Sequence, residues 1–213
     1  MPAPPAPPGP AVRFLAVVDA VNRTVWRGVR WLTLGMVLIG AYNALARYLD
    51  RSFEARLASN SWVEASWYLF SLVFLLAAPW ALRQGAHVRV DVLYGRLGPR
   101  TRAWIDLVGG LGLLLPFCAF ALWSAWPTVM NSIATWEASP DPGGLPRWPI
   151  KAVVPLAFAL LVLQGVAEVL RRVLFLRGAL TEADLAPEVD PALVEPRADE
   201  PGAGDDALPG GLA

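Results

Sequence analysis

Residues 62–82 read WVEASWYLFSLVFLLAAPWAL. The stretch holds one charged residue, Glu64. A helix rises about 1.5 Å per residue, so roughly 20 apolar residues cross the hydrocarbon layer of a bilayer. A soluble core helix of this length would carry a polar face, and this one carries almost none. The segment is therefore expected to span a membrane, and it sets the scale for the rest of the chain.

Working outward, three further segments meet the same criterion. They are about 31–48 (WLTLGMVLIGAYNALARY), 103–126 and 150–174, alongside 62–82 itself. Hydrophobic residues make up 55% of the chain against 17% charged, more apolar surface than one soluble domain could cover. The expected fold class is all-α, an integral membrane bundle of four transmembrane helices with short interfacial amphipathic helices. Trp26, Trp31, Tyr48, Trp62, Trp80, Trp104, Trp123, Trp126 and Trp148 fall near the expected span ends. Amphipathic rings favour that headgroup zone.

The net charge of zero conceals an asymmetry. From Gly178 onward there are nine acids and one base, Arg197, so residues 1–177 carry 17 bases and 9 acids. These bases flank the apolar runs instead of forming one patch, which argues against nucleic-acid binding. With the N-terminus inside, the cytoplasmic segments hold 13 arginines and the outer loops five bases. The positive-inside rule then places both termini in the cytoplasm. The start MPAPPAPPGP lacks the basic and apolar regions of a cleaved signal, so the first span is expected to act as an uncleaved insertion signal.

The expected organisation is a disordered Pro-rich segment over 1–10, a transmembrane domain over 11–177 and a disordered acidic tail over 178–213. Residues 11–30 place Phe14, Val18, Val21, Val25 and Val29 at helical spacing, as in a basic amphipathic helix at the membrane surface. A shorter amphipathic helix is expected over 51–60. Val88, Val90 and Val92 alternate as in a strand, but a lone strand beside a membrane would leave backbone groups unpaired, so a helix or turn is favoured.

Few residues offer chemistry. Cys118 is the only cysteine and His87 the only histidine, which excludes an intrachain disulfide, a zinc site built on them and bis-histidine haem. No cofactor is expected, and no enzyme: His87 and Asp91 have no accompanying nucleophile or phosphate loop. Glu64, Tyr68, Ser71 and Leu75 share one helical face. Glu64 is read either as a contact to a helix or subunit, with Arg47 or Arg51 as partner, or as a glutamate at headgroup level. Asn43 and Gln164 are expected to hydrogen-bond across close helix contacts. His87 and Asp91 are expected to hold a turn just inside the membrane, with Arg89 at headgroups or a partner surface. None of the four spans combines a helix break with a cluster of ionisable residues, as a midplane substrate or ion site would.

The stretch EASWYLFSLVFLLAAPWALRQGAHVRVDVLYGRLGPRTRAWID resembles the small permease (DctQ-type) subunits of tripartite ATP-independent periplasmic (TRAP) transporters. It carries that family's pattern on Glu64, Arg83, His87, Arg89, Val90 and Asp91. The segment SPDPGGLPRWPIKAVVPLAFALLVLQGVAEVLRR is similar to its outer turn and fourth helix, through Pro146, Trp148, Pro149 and Pro155. The resemblance covers about 31–172 and leaves out both tails. It implies a scaffold in the bacterial inner membrane, unfused to the large permease that would carry the substrate and sodium sites. It also implies a periplasmic binding protein that delivers the solute, often an organic acid, with membrane lipids as the remaining partner. A four-helix anchor of an unrelated respiratory or signalling complex is the alternative reading.

Overall fold

The computed structural model describes residues 9–53, 57–86 and 97–187, and every regular element among them is helical. Helix α1 spans Pro10–Phe53, α2 Asn60–Arg83, α3 Pro99–Ala134, α4 Trp148–Leu176, and a short α5 Glu182–Leu185 follows. The first four are long and apolar enough to cross a bilayer, at 44, 24, 36 and 29 residues.

The amphipathic segment expected over 11–30 and the first span are one continuous helix. No proline or glycine pair interrupts the junction at Arg30–Trp31, so nothing breaks the backbone ladder there. At about 66 Å, α1 is roughly twice the thickness of a hydrocarbon layer. Its buried stripe keeps Val18 and Val29 of the expected one but is rotated in the first turns. Leu15, Val18, Asp19 and Asn22 face inward, while Phe14 and Val21 are exposed. The helix expected over 51–60 is replaced by an end: α1 runs to Phe53, and Asp50 accepts hydrogen bonds from the backbone N–H of Leu57 and Ala58 at 2.6 and 2.7 Å. Residues 87–92, with His87, Arg89 and Asp91, lie outside the described residues.

Packing is that of an open layer in the order α1, α2, α4, α3. Helix α2 lies between α1 and α4, and α3 packs on α4 without comparable contact to α1 or α2. The start of α1 reaches back to α4, where Leu15 and Val18 pack with Ala167 against Leu163, Leu170, Leu174 and Leu180. In this arrangement 22% of the apolar window of α4 is buried but only 6% of that of α3, which makes α4 the spine. Trp80, assigned above to an interfacial belt, instead lies buried under the guanidinium of Arg23, 5.9 Å from the ring centroid. A cation over an aromatic face is attracted by the ring quadrupole, which suits this α1–α2 contact.

Helix α3 contains one π-helical turn, Gly110–Leu114. Its cause is local: Pro116 has no N–H and its ring would strike the carbonyl four residues back, at Gly112. Widening the turn, with the Leu115 N–H donating to the Gly110 carbonyl, relieves that clash. The widened turn meets α4 at a glycine. A Cβ on Gly165 would stand 3.0 Å from Leu115 and 3.3 Å from Leu114, and one on Gly110 would stand 3.0 Å from Val169. Small residues at such a crossing let two backbones approach closely in lipid.

Gly165→Val should therefore lower resistance to unfolding in mixed detergent by about 1–3 kcal/mol, the usual cost of overpacking. Gly40→Ala, where an added Cβ meets nothing within 4 Å, serves as control. Equal helix loss for both variants, followed by circular dichroism, would contradict the close α3–α4 crossing.

Candidate functional site

Two polar clusters lie at opposite ends of the layer. The first sits where α1 begins and α4 ends. On α4, Gln164, Glu168, Arg171 and Arg172 recur at steps of three and four, one helical face. On α1, Asp19 and Asn22 face them. The Asp19 carboxylate accepts from Arg171 Nη2 at 2.6 Å and lies 3.4 Å from Arg83 Nε of α2. Arg171 also pairs with Glu168. Glu168 lies 3.8 Å from Arg172 Nη2, and Arg172 Nε stands 3.1 Å from Asp106 of α3, an ion-pair approach without hydrogen-bond alignment.

Read in sequence of contact, Arg83, Asp19, Arg171, Glu168, Arg172 and Asp106 form a chain of alternating sign. It touches all four long helices and carries no net charge. Gln164, fully buried, bridges it: its amide nitrogen donates to Asp19 and Glu168 at 3.2 Å each, and its oxygen accepts from Asn22 at 2.7 Å. Charges taken into a membrane are costly unless paired within the protein, and here each is. Arg83 extends the network by donating to the carbonyl of Ala186 at 3.0 Å. That contact ties the C-terminal segment 177–187 across the ends of the helices.

The second cluster holds the loop between α3 and α4. Glu64, 3% exposed, accepts from the Ser139 hydroxyl and from the backbone N–H of Leu145. Tyr68, one turn on, donates to the carbonyl of Pro146 at 2.9 Å. Asn60 and Ser61 donate to the carbonyls of Pro142 and Gly143. Gly144 is obligatory, because a Cβ there would lie 2.4 Å from Ser139 and 2.7 Å from Glu64. Trp136 turns the chain at φ 49°, a conformation uncommon for a large side chain, and its ring meets Trp148 edge-on at 5.4 Å.

Among the residues singled out from the sequence, Glu64 and Tyr68 thus come together on the loop. Glu64 faces Ser139 and Leu145 instead of Arg47 or Arg51. Ser71 turns away and donates to the Trp67 carbonyl of its own helix. Gln164 lies in the other cluster. Asn43 has a buried amide oxygen without a hydrogen-bond partner among the described residues. His87, Arg89 and Asp91 are outside them.

The charge chain was missed, although Gln164, Glu168 and Arg171 form a polar stripe in an otherwise apolar helix. Helix α3 also has a break, its π turn, beside Asp106, Glu168 and Arg172. These groups sit toward the helix ends and are paired, unlike a midplane ion site. Among the described residues no group of three His, Cys, Asp or Glu could hold a metal ion.

An all-helical chain whose four apolar helices are laid side by side, with their charges paired internally, defines a multi-pass membrane protein. Residues 36–175 match the family described as tripartite ATP-independent periplasmic transporters, DctQ component, and the chain belongs to that family. Neither a curated protein nor a solved structure matches it.

Removing Asp19 would leave Arg83 and Arg171 facing each other without their shared carboxylate. Asp19→Ala should cost about 1.5–3 kcal/mol, the range for hydrogen bonds to a charged group, because Arg171 keeps Glu168 and Arg83 keeps the Ala186 carbonyl. Guanidinium groups cannot shed their charge to escape it. A denaturant titration of the reconstituted chain that showed a change below about 1 kcal/mol would refute the shared role.

Glu137, in the loop, hydrogen-bonds Lys151, and this chiefly holds its carboxyl below the ordinary value of 4.5, with Ser132 adding to the effect. A depressed carboxyl pKa contributes stability above the unfolded value, lost as pH falls through the folded value. The Trp136–Trp148 loop should therefore loosen on acidification below about pH 4.5. Trp fluorescence should report that step, and Lys151→Ala should shift it to higher pH.

Proposed function

We propose that this chain is the small membrane subunit of a TRAP-type secondary transporter, scaffolding the large permease for sodium-coupled uptake. The solute is a small organic acid delivered by a periplasmic binding protein. The chain sits in a bacterial inner membrane with both termini in the cytoplasm. Family membership supports the subunit assignment, and the excess of arginine at the terminus end supports the orientation.

The observation that carries the scaffold reading is the open layer. Phe117, Phe120 and Trp123 of α3, and Val37, Leu38 and Tyr48 of α1, are all exposed. Helices in one layer enclose no path between the two sides of a membrane. The charges that could meet a solute are engaged with one another. Such a surface suits packing within a larger membrane assembly, with the moving parts elsewhere.

Two measurements test this. Affinity purification of the tagged chain from native membranes in mild detergent should recover a larger, many-spanning permease in about equal amount. The purified chain alone in liposomes should move no organic acid above the leak of empty vesicles. Recovery with redox or signalling proteins, or flux from the chain alone, would overturn the proposal.

A further inference from the structure

Helices α2 and α3 both pack on α4 without comparable contact to each other, and a hollow lined by all three lies where they meet α4. It has a volume of about 330 Å³. Leu82 lines one side, Ile105 and Leu114 the other, and Gly165 and Val169 the floor. Gly109 and Gly110 leave it without side chains where α3 crosses. Its terminus end is charged, with Asp106, Glu168 and Arg172.

A second hollow of about 230 Å³ shares Asp106 and Arg172, adds Arg102, and is bounded by Glu182, Leu185 and Ala186 of the C-terminal segment. The apolar trough and this chamber, which has both signs of charge, adjoin at the Asp106–Arg172 pair. Trp104, next in sequence to Ala103 of the chamber wall, is exposed, at a level where indoles favour headgroups.

We propose that trough and chamber bind one phospholipid of the surrounding bilayer, with a zwitterionic head that ends in a primary ammonium. The shape is that of an amphiphile: an acyl chain in the trough, the head in the chamber. A partner helix fits less well, because the charged end bounded by α5 would stop it. The signs of charge select the head. The chamber wall holds Arg102 and Arg172 with Asp106 and Glu182, two of each sign, so a purely anionic head would leave the carboxylates unmatched. A phosphate on the arginines and an N–H donor on the carboxylates match both. Each carboxylate offers several acceptor positions beyond those its ion pair uses. A trimethylated head has no N–H to donate.

The test uses the full chain in nanodiscs of equal parts phosphatidylethanolamine, phosphatidylcholine and phosphatidylglycerol, with release into native mass spectrometry. One retained phospholipid per chain is expected. Phosphatidylethanolamine should be enriched roughly tenfold or more, the worth of one hydrogen bond to a charged group. Gly109→Leu fills the trough: an added Cβ there meets nothing within 4 Å, and leucine is the better helix former. That variant should keep its circular dichroism and lose the retained lipid. Retention in bilayer proportions would mean annular lipid only and overturn the proposal. So would the absence of retained lipid, or equal retention by the folded variant. Should Gly109→Leu not fold, the three-lipid competition on the unaltered chain decides alone.

Discussion

Asp19 is a carboxylate on the first helix that Arg171 of the fourth and Arg83 of the second both approach. In lipid the hydrophobic effect does not drive one apolar helix onto another, since tails are as apolar as leucine. Charges with nowhere else to go are a stronger constraint. Each arginine at this end must find an acid or reach the headgroups, and the acids on the same faces supply the partners. The chain running from Arg83 to Asp106 therefore fixes which helices adjoin and at what height. A slide of one helical turn along α4, about 5.4 Å, would break several of its links at once.

The other half of the packing is steric, and it is concentrated on α3. An ion pair of Asp106 with Arg172 ties that helix to the layer. What holds it along its length is close approach at Gly165, which depends on the widened turn that Pro116 imposes. Polar links thus position the terminus end, and small residues set the spacing of α3 and α4 toward the middle. The loop at the far end adds a third set, in which Glu64 and Tyr68 of α2 grip the segment joining α3 to α4. Helix α2 does not pack appreciably on α3, yet it controls how α3 returns into α4.

Much of this was legible in the sequence, for a definite reason. Length and apolarity locate candidate spans because a bilayer imposes a fixed thickness, and four helices long and apolar enough to cross one contain the expected segments. Family pattern was legible in the stretch from Glu64 onward. Helix ends were less so: nothing in the composition of Arg30–Trp31 says whether the helix ends there, and it continues unbroken. The polar cluster was hardest. Arg83, Arg171 and Arg172 look in sequence like membrane-flanking charges that report orientation. Their role as partners of Asp19, Glu168 and Asp106 depends on which helices adjoin, and helical periodicity within one segment does not contain that information. The rotation of the buried stripe on α1 has the same origin. Asp19 and Asn22 turn inward because Arg171 and Gln164 await them, against the pull of Phe14 and Val21.

The two clusters together explain why so little of the layer is buried and yet its arrangement is specific. A closed bundle would satisfy its helices by packing them around one core, with each helix touching two others. Here α2 and α4 are flanked on both sides, and α1 and α3 are edges. Edges in a membrane carry no penalty while they face lipid or another apolar helix, so such a layer can persist with large apolar faces exposed. What it cannot tolerate is an unpaired charge on those faces. The sequence places its charges accordingly: those within the layer neutralise one another, and both broad faces are left apolar. The result is a layer whose described ion pairs lie among its own helices and whose exposed apolar faces can meet lipid or protein without breaking them.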